Sequence, residues 1–388
     1  MQEWKVYEFK ELVNLSKEKY NPKNETMNLP CIELEHIESE TGRLLGYTDS
    51  IEQQSIKNKF KANDILYGKL RPYLRKFYFP NFEGVCSSEI WVLQSIEEKI
   101  HNKYLYYLIQ TNKFNEHANK SSGTKMPRAD WNYISEITFP IPPIKEQQKI
   151  ASILSTWDKA IELKEKLIEQ KKQQKKGLMQ KLLTGEVRLP GFEGKWRSLR
   201  ILNFCNTYSG GTPSRTRKEF YENGTIPWIK SGELNSRKVT QTEEYITEKA
   251  LANSTAKLVN PETILLALYG ATAGVVAMSK IRASINQAIL AIVPNDNCDN
   301  NFLFYYLENH MDKVTKKYTQ GGQPNLNADI VKKMVVKLPS IEEQKAIANI
   351  LSNIDNNIEL LEKELNWLKQ QKKGLMQLLL TGKVRVKV

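Results

Sequence analysis

The sequence predicts an α+β chain: two globular domains joined by two long helices packed as an antiparallel coiled coil, a tandem duplication with pseudo-two-fold character. Three observations carry this. A 45-residue stretch occurs twice, Ile144–Arg188 and Ile341–Arg385, and at a constant offset of 197 residues 29 of its 45 positions are identical. Apolar residues within each copy recur at alternating spacings of three and four, the signature of a coiled-coil seam. The intervening segments mix short β-patterned runs (ILYGKL, EIWVLQ, TILLALYG, QAILAIV) with helical stretches, as a mixed domain requires.

Taken in order, residues 1–143 form the first module, 144–188 the first helical spacer, 189–340 the second module and 341–388 the second spacer. Pro142 and Pro143, or Pro339 with Ser340, set the helix starts; Glu146 and Glu343 lie in the positive first turn, and Gly185 and Gly382 stand where C-terminal caps belong. The second seam comprises Ile347, Leu351, Ile354, Ile358, Leu361, Leu365, Leu368, Leu375 and Leu379, interrupted by Lys372. The first keeps Ile150, Leu154, Trp157, Ile161, Ile168, Leu178 and Leu182 but places Lys164, Lys171 and Lys175 on the seam, so part of that face is expected to meet another protein or DNA. The modules also resemble each other weakly: NKYLYYLI from Asn102 parallels NNFLFYYL from Asn300.

Apolar residues at 40% and charged residues at 26% are ordinary globular values and exclude a disordered or fibrous chain. The net charge of +13 points to a polyanion, nucleic acid or an anionic surface. No apolar run approaches the ~20 residues of a spanning helix, so no membrane is expected. Cys31, Cys86, Cys205 and Cys298 form no CxxC pair and no zinc-like spacing with histidine, which reads as reduced, cytoplasmic thiols and no metal.

The first module has 19 basic and 19 acidic residues, the second 19 and 13, so any anion site in the first must be local. Lys69, Arg71, Arg75 and Lys76, interleaved with Tyr67, Tyr73, Phe77 and Tyr78, suit phosphate contact with aromatic packing, and equally a strand edge protected by charge. Lys125 and Arg128 follow a polar loop, Ser121–Thr124, and could grip phosphate. In the second module Tyr208, Ser209, Gly210, Gly211 and Thr212 lead into Arg215, Arg217 and Lys218: glycines that admit backbone N–H groups to a phosphate, then a basic cluster, or else a solvated turn. Asn286 and Gln287, and likewise Gln323 and Asn325, either read an adenine edge or are satisfied loop residues. No Walker lysine, HExxH, GxSxG or cofactor fingerprint occurs, and the single Pro-Pro pair is preceded by Ile, which removes the Asp/Asn-Pro-Pro-aromatic motif of amino-methyltransferases. No catalytic residue is assigned, and a binding protein is favoured over a nuclease or methyltransferase with an unrecognised active site.

Over nearly its full length the chain resembles the specificity subunit of type I restriction-modification systems. The resemblance is carried by PPIKEQQKIA and PSIEEQKAIA, by LTGEVR and LTGKVR, by SGGTPSR with NGTIPWIKSGEL (Ser209 to Leu234), and by Leu265 to Ala291 with YGATAG and INQAILA. It implies a non-catalytic subunit whose two target recognition domains each read half of a bipartite, asymmetric site in double-stranded DNA, with Lys230, Tyr269 and Thr272 joining the DNA-binding residues. It also implies two modification subunits, restriction subunits, and S-adenosylmethionine, ATP and magnesium on those partners, with no cofactor in this chain. The first module lacks the GGTPSR-type opening and carries NLPCIELEHIESETG, Asn28 to Gly42, instead.

If the helices act as a ruler between half-sites, four residues inserted between Lys166 and Gln170 lengthen one rod by about 6 Å and turn it by roughly one helical turn. The expected outcome, checked by methylation mapping, is a preference for a spacer one or two base pairs longer; undiminished preference for the original spacer contradicts it.

Overall fold

The computed structural model describes residues 3–120, 126–320, 323–324 and 326–387. The chain forms two compact units, residues 1–165 with 363–388 and residues 166–362, so each unit contains one module plus the half-helices that belong to it.

Both modules are built on one strand plan. In the first, a four-stranded sheet runs in the order Val13–Leu15, Ile90–Ser95, Ile65–Gly68, Phe77–Tyr78; in the second, Cys205–Ser209, Ile289–Pro294, Ile264–Ala267 and Val276–Ser279 follow the same order, extended by Lys238–Val239. The runs Ile65–Gly68 and Ile264–Ala267 are buried throughout, which is why their sequences are continuously apolar rather than alternating. Beside each lies a second sheet. In both, one parallel pair is central: Pro30–Ile32 with Gly84–Cys86, and Ile226–Ile229 with Ala283–Ile285. A two-stranded sheet then delivers the chain to each long helix, Lys5–Glu8 with Thr138–Ile141 and Arg197–Arg200 with Val335–Leu338.

The long helices span Ile144–Leu182 and Ile341–Leu379. Within each unit they run antiparallel, as the ion pairs Asp158–Lys372 and Lys164–Glu364 show in one and Lys172–Glu362 and Lys175–Asp355 in the other. Trp157 lies 6.4 Å from Trp367; of the remaining seam residues Ile161 in one unit and Ile358 in the other are buried, and Ile354, Leu361 and Leu365 are half-buried. Towards the helix ends the seam meets the modules instead. Ile150, Leu154, Leu379 and the half-buried Leu375 enter the core formed by Phe9, Tyr104 and Phe139; Leu182, Ile347, Leu351 and the half-buried Leu178 enter that of Phe302, Leu303 and Leu307.

Two of the three lysines on the first seam are answered from within the chain. Lys164 pairs with Glu364 at 2.8 Å, Lys175 with Asp355 at 2.7 Å and Glu308 at 3.6 Å, and Lys171 donates to Gln174 Oε1. Lys372 pairs with Asp158 in the same manner. Each aspartate also accepts a hydroxyl, Asp158 from Tyr107 and Asp355 from Tyr305, both at 2.6 Å. Lys164, Lys175 and Lys372 interrupt the apolar seam because each answers a carboxylate on the facing helix.

One clamp closes each helix start. Glu146 receives Nε and Nη2 of Arg385 at 2.7 Å, and Glu343 receives the same two atoms of Arg188 at 2.7 Å. Trp4 and Trp196 stack over these arginines. Gly382 and Gly185, at φ +73° and +75°, turn the chain towards the arginines, and a Cβ on either would press on the tryptophan ring. Next to each glutamate, a buried glutamine ties the helix start to its module. Gln147 donates to the Lys99 and Pro142 carbonyls and accepts the His101 N–H; Gln344 does the same with Asn297, Pro339 and Asp299.

Burial is the largest influence on Glu146 and opposes its charge, but the bond and charge of Arg385, joined by the Trp4 and Val386 N–H groups, together outweigh it and hold the carboxyl below its ordinary value of 4.5. A depressed carboxyl stabilises the fold above its unfolded pKa, and that contribution is lost as pH falls through the folded one. Arg385→Ala, which strands this carboxylate, should destabilise the chain in urea unfolding near pH 7. The difference from the unaltered chain should shrink below pH 4.5; a constant difference down to pH 3 would show that the pair contributes no charge effect.

Candidate nucleic-acid interface

In the second module the candidate residues converge where four strands end. Gly211 N–H donates to Ile285 O and Asn286 N–H to Ile229 O, which brings the Ser209–Thr212 segment, the turn at Asn286–Ala288 and the Lys230 position to one lip. Leu268 N–H donates to Ala288 O, and Leu326 N–H to Leu268 O, adding the Tyr269–Thr272 bend. Thr212 Oγ1 donates to Gln287 Oε1. Tyr269 is exposed and Thr272 half-buried in that bend, which links Ile264–Ala267 to Val276–Ser279.

The lip revises several readings. Gly210 and Gly211 are glycine because a Cβ would collide with the Ile285 carbonyl and with Thr255, and the Gly211 N–H is already bonded; the glycines serve strand packing, not phosphate approach. The Asn286 side-chain oxygen accepts the Ala288 N–H and so caps its own turn. Tyr208 is tied by its hydroxyl to Leu258 O, with Lys257 over its ring. Arg215 stacks on Tyr221 and Trp228 and donates to Glu244 at 2.7 Å, while Lys230 reaches the same carboxylate at 2.9 Å. These bonds, that of Arg215 foremost, depress the Glu244 carboxyl below its usual range. Arg217, over the Phe220 ring, and Lys218 are exposed. Gln323 lies in a short strand; Lys125 and Asn325 fall outside the described residues.

The same framework recurs in the first module. Lys69 N–H donates to Glu89 O, Ala129 N–H to Lys69 O and Ser87 N–H to Ile32 O, so Lys69, Glu89, Ala129 and Ser87 occupy the places of Leu268, Ala288, Leu326 and Asn286. Pro30–Ile32 is therefore the counterpart of Ile226–Ile229. This corrects the expectation that NLPCIELEHIESETG replaces the GGTPSR opening: it matches the later TIPWIKSGEL, and the opening's counterpart is the stretch from Ser16 that follows Val13–Leu15. Of the basic strip, Lys76 donates to Leu34 O, Arg75 faces Glu40 at 4.0 Å and Arg128 pairs with Glu89. Arg71 and Tyr73 are exposed, and Lys69 is half-buried. Glu89, which sequence reasoning missed because an acidic residue argues against an anion site, is drawn below the ordinary carboxyl range chiefly by its bonds to Arg128.

Among the described residues no helix is long and apolar enough to cross a membrane, no group of three or more His, Cys, Asp or Glu is placed to hold a metal, and the four cysteines are unbridged.

Two modules on one strand plan, each presenting a cation-bearing lip, define a duplicated DNA-recognition protein. Comparison with known proteins makes this specific. The family described as the type I restriction modification DNA specificity domain matches twice, over residues 1–173 and 193–370. The MjaVIII specificity subunit of Methanocaldococcus jannaschii is 31% identical over 328 residues, covering 79% of this chain and 75% of that one. The putative MjaX subunit of the same organism is 28% identical across the whole chain and 95% of its own length. In fold the chain is similar to the HsdS subunit from Thermoanaerobacter tengcongensis (TM-score 0.54, 19% identity, covering 99% of this chain and 98% of that one). It is also similar to a chain solved in a study of type I R-M complex assembly (TM-score 0.67, 19% identity, 99% of each chain). The chain belongs to the type I restriction-modification DNA specificity family and is a specificity subunit, the component that recognises DNA.

Electrostatics makes the lip testable. Replacing Arg217 and Lys218 by alanine should reduce the salt slope of DNA binding by about 0.9 for each phosphate no longer neutralised. Arg215→Ala should change it less, since Glu244 already balances that charge. Equal slopes in all variants would remove this cluster from the interface.

Proposed function

We propose that each module reads one half of a bipartite, asymmetric site in double-stranded DNA, and that catalysis belongs to partner subunits. The observation that carries this is the pair of lips: one backbone framework bearing unequal side chains, Lys69, Glu89 and Arg128 in one and Thr212, Gln287 and Lys230 in the other. A shared framework with different side chains is what two unequal half-sites demand, since base identity is read by side-chain edges.

Two modification subunits would dock on the chain, bind S-adenosylmethionine and methylate adenine after flipping it from the stack; restriction subunits would join with ATP and magnesium. Strict kinship of the helical spacers, against divergence of the modules, supports a common docking role for the spacers.

Exchanging residues 189–340 for the corresponding segment of another specificity subunit should change only one half of the methylated site, as mapped on genomic DNA of a host carrying the complete system. A change in both halves would overturn the division of labour. The purified chain alone, given S-adenosylmethionine and divalent metal, should transfer no methyl group to DNA; transfer by the chain alone would place the chemistry here instead.

A further inference from the structure

We propose that Arg128, positioned by Glu89, reads a guanine in the half-site of the first module. The inference rests on the DNA-reading role above and adds the residue and the base.

The geometry of the pair is the starting point. Glu89 accepts from Arg128 Nε and Nη2, each at 3.0 Å, and so occupies one edge of the guanidinium. A guanidinium has five N–H donors in a plane. The adjacent edge, formed by Nη1 and the second Nη2 hydrogen, is left free by the carboxylate, and it is a fork that matches guanine O6 and N7 in the major groove. The Arg128 side chain is 47% exposed and that of Glu89 26%, so the carboxylate lies deeper than the fork it holds.

Both residues are fixed by backbone as well. Arg71 N–H donates to Pro127 O and Ala129 N–H to Lys69 O, both at 2.8 Å, and Lys69 N–H donates to Glu89 O at 2.9 Å. Arg128 therefore sits between two pinned neighbours, and little side-chain freedom remains to be lost on binding.

The bend beneath it carries an independent mark. Arg71 adopts φ +53°, a left-handed conformation that disfavours a side chain, where the second module has Gly270 at φ +84° in the corresponding bend. The guanidinium of Arg71 is exposed and has no ion-pair partner among the described residues. A strained position that retains a long cation points to a role for that cation, and beside Arg128 the role is a phosphate contact that sets the reading arginine in register. The second module has Ala288 in the place of Glu89, so it holds no such fork and reads differently.

The test uses the complex assembled with modification subunits and a duplex set in which every base pair of the first half-site is substituted in turn. The unaltered complex should discriminate at a G·C pair, and Arg128→Ala should lose roughly ten- to hundredfold of that discrimination at that one pair. Glu89→Gln keeps an acceptor oxygen and should give an intermediate loss at the same pair, which a merely structural ion pair would not produce; Glu89→Gln also carries the test if Arg128→Ala fails to assemble. A first half-site containing no G·C pair overturns the proposal, as does a uniform loss of binding across all duplexes in both variants. If exchange of residues 1–143 alters one half of the site while Arg128→Ala leaves every pair unchanged, only this inference fails. If that exchange alters neither half, the division of reading between modules fails with it.

Discussion

The structure depends on closing each long helix against its module, and a buried glutamate with a bidentate arginine performs that closure. Glu146 and Glu343 are almost fully buried, and a carboxylate in such a place is tolerated only with a countercharge of matching geometry. That countercharge arrives from the end of the facing helix, through the left-handed glycine and under a tryptophan ring. The antiparallel arrangement is thereby specified by polar chemistry as well as by apolar burial, since a helix running the other way would leave the carboxylate unanswered. The Asp158–Lys372–Tyr107 and Asp355–Lys175–Tyr305 sets repeat the device farther along the helices.

Within the modules the division is different. Strand order, the central parallel pair and the backbone bonds that shape the lip are common to both, while the side chains on the lip diverge. Ala288 stands opposite Glu89, Leu268 opposite Lys69 and Gly270 opposite Arg71. Main-chain bonding keeps the frame the same while its outward residues vary, as the proposed reading of two unequal half-sites requires.

Much of the architecture was legible in the sequence. The duplicated segment exposed the helices, because an apolar period of three and four survives divergence, and Gly185 and Gly382 marked their ends correctly. The pairing of Lys164 and Lys175 was not legible because sequence shows a charge on an apolar face but not the carboxylate opposite it. The glycines of the SGGTP segment were misread for a related reason: a glycine admits close approach by a ligand or by a neighbouring strand, and only the position of Ile285 and Thr255 decides. The Asn28–Gly42 stretch was placed one element out of register, since Val13–Leu15 is short and the Ser16 stretch after it lacks glycine. Glu89 gave no signal, because its role lies in holding another residue 39 positions away.

With the phosphate contact proposed for it, the left-handed arginine at position 71 would set stability against recognition. A glycine there would relieve strain of roughly 1 kcal/mol, less the greater chain entropy that glycine brings to the unfolded state. Thermal selection acting on the isolated subunit would therefore favour exchanges at this bend that remove the proposed phosphate contact. A specificity subunit evolved for heat resistance alone would be drawn towards the bend of its own second module, and towards the loss of one cation from its first.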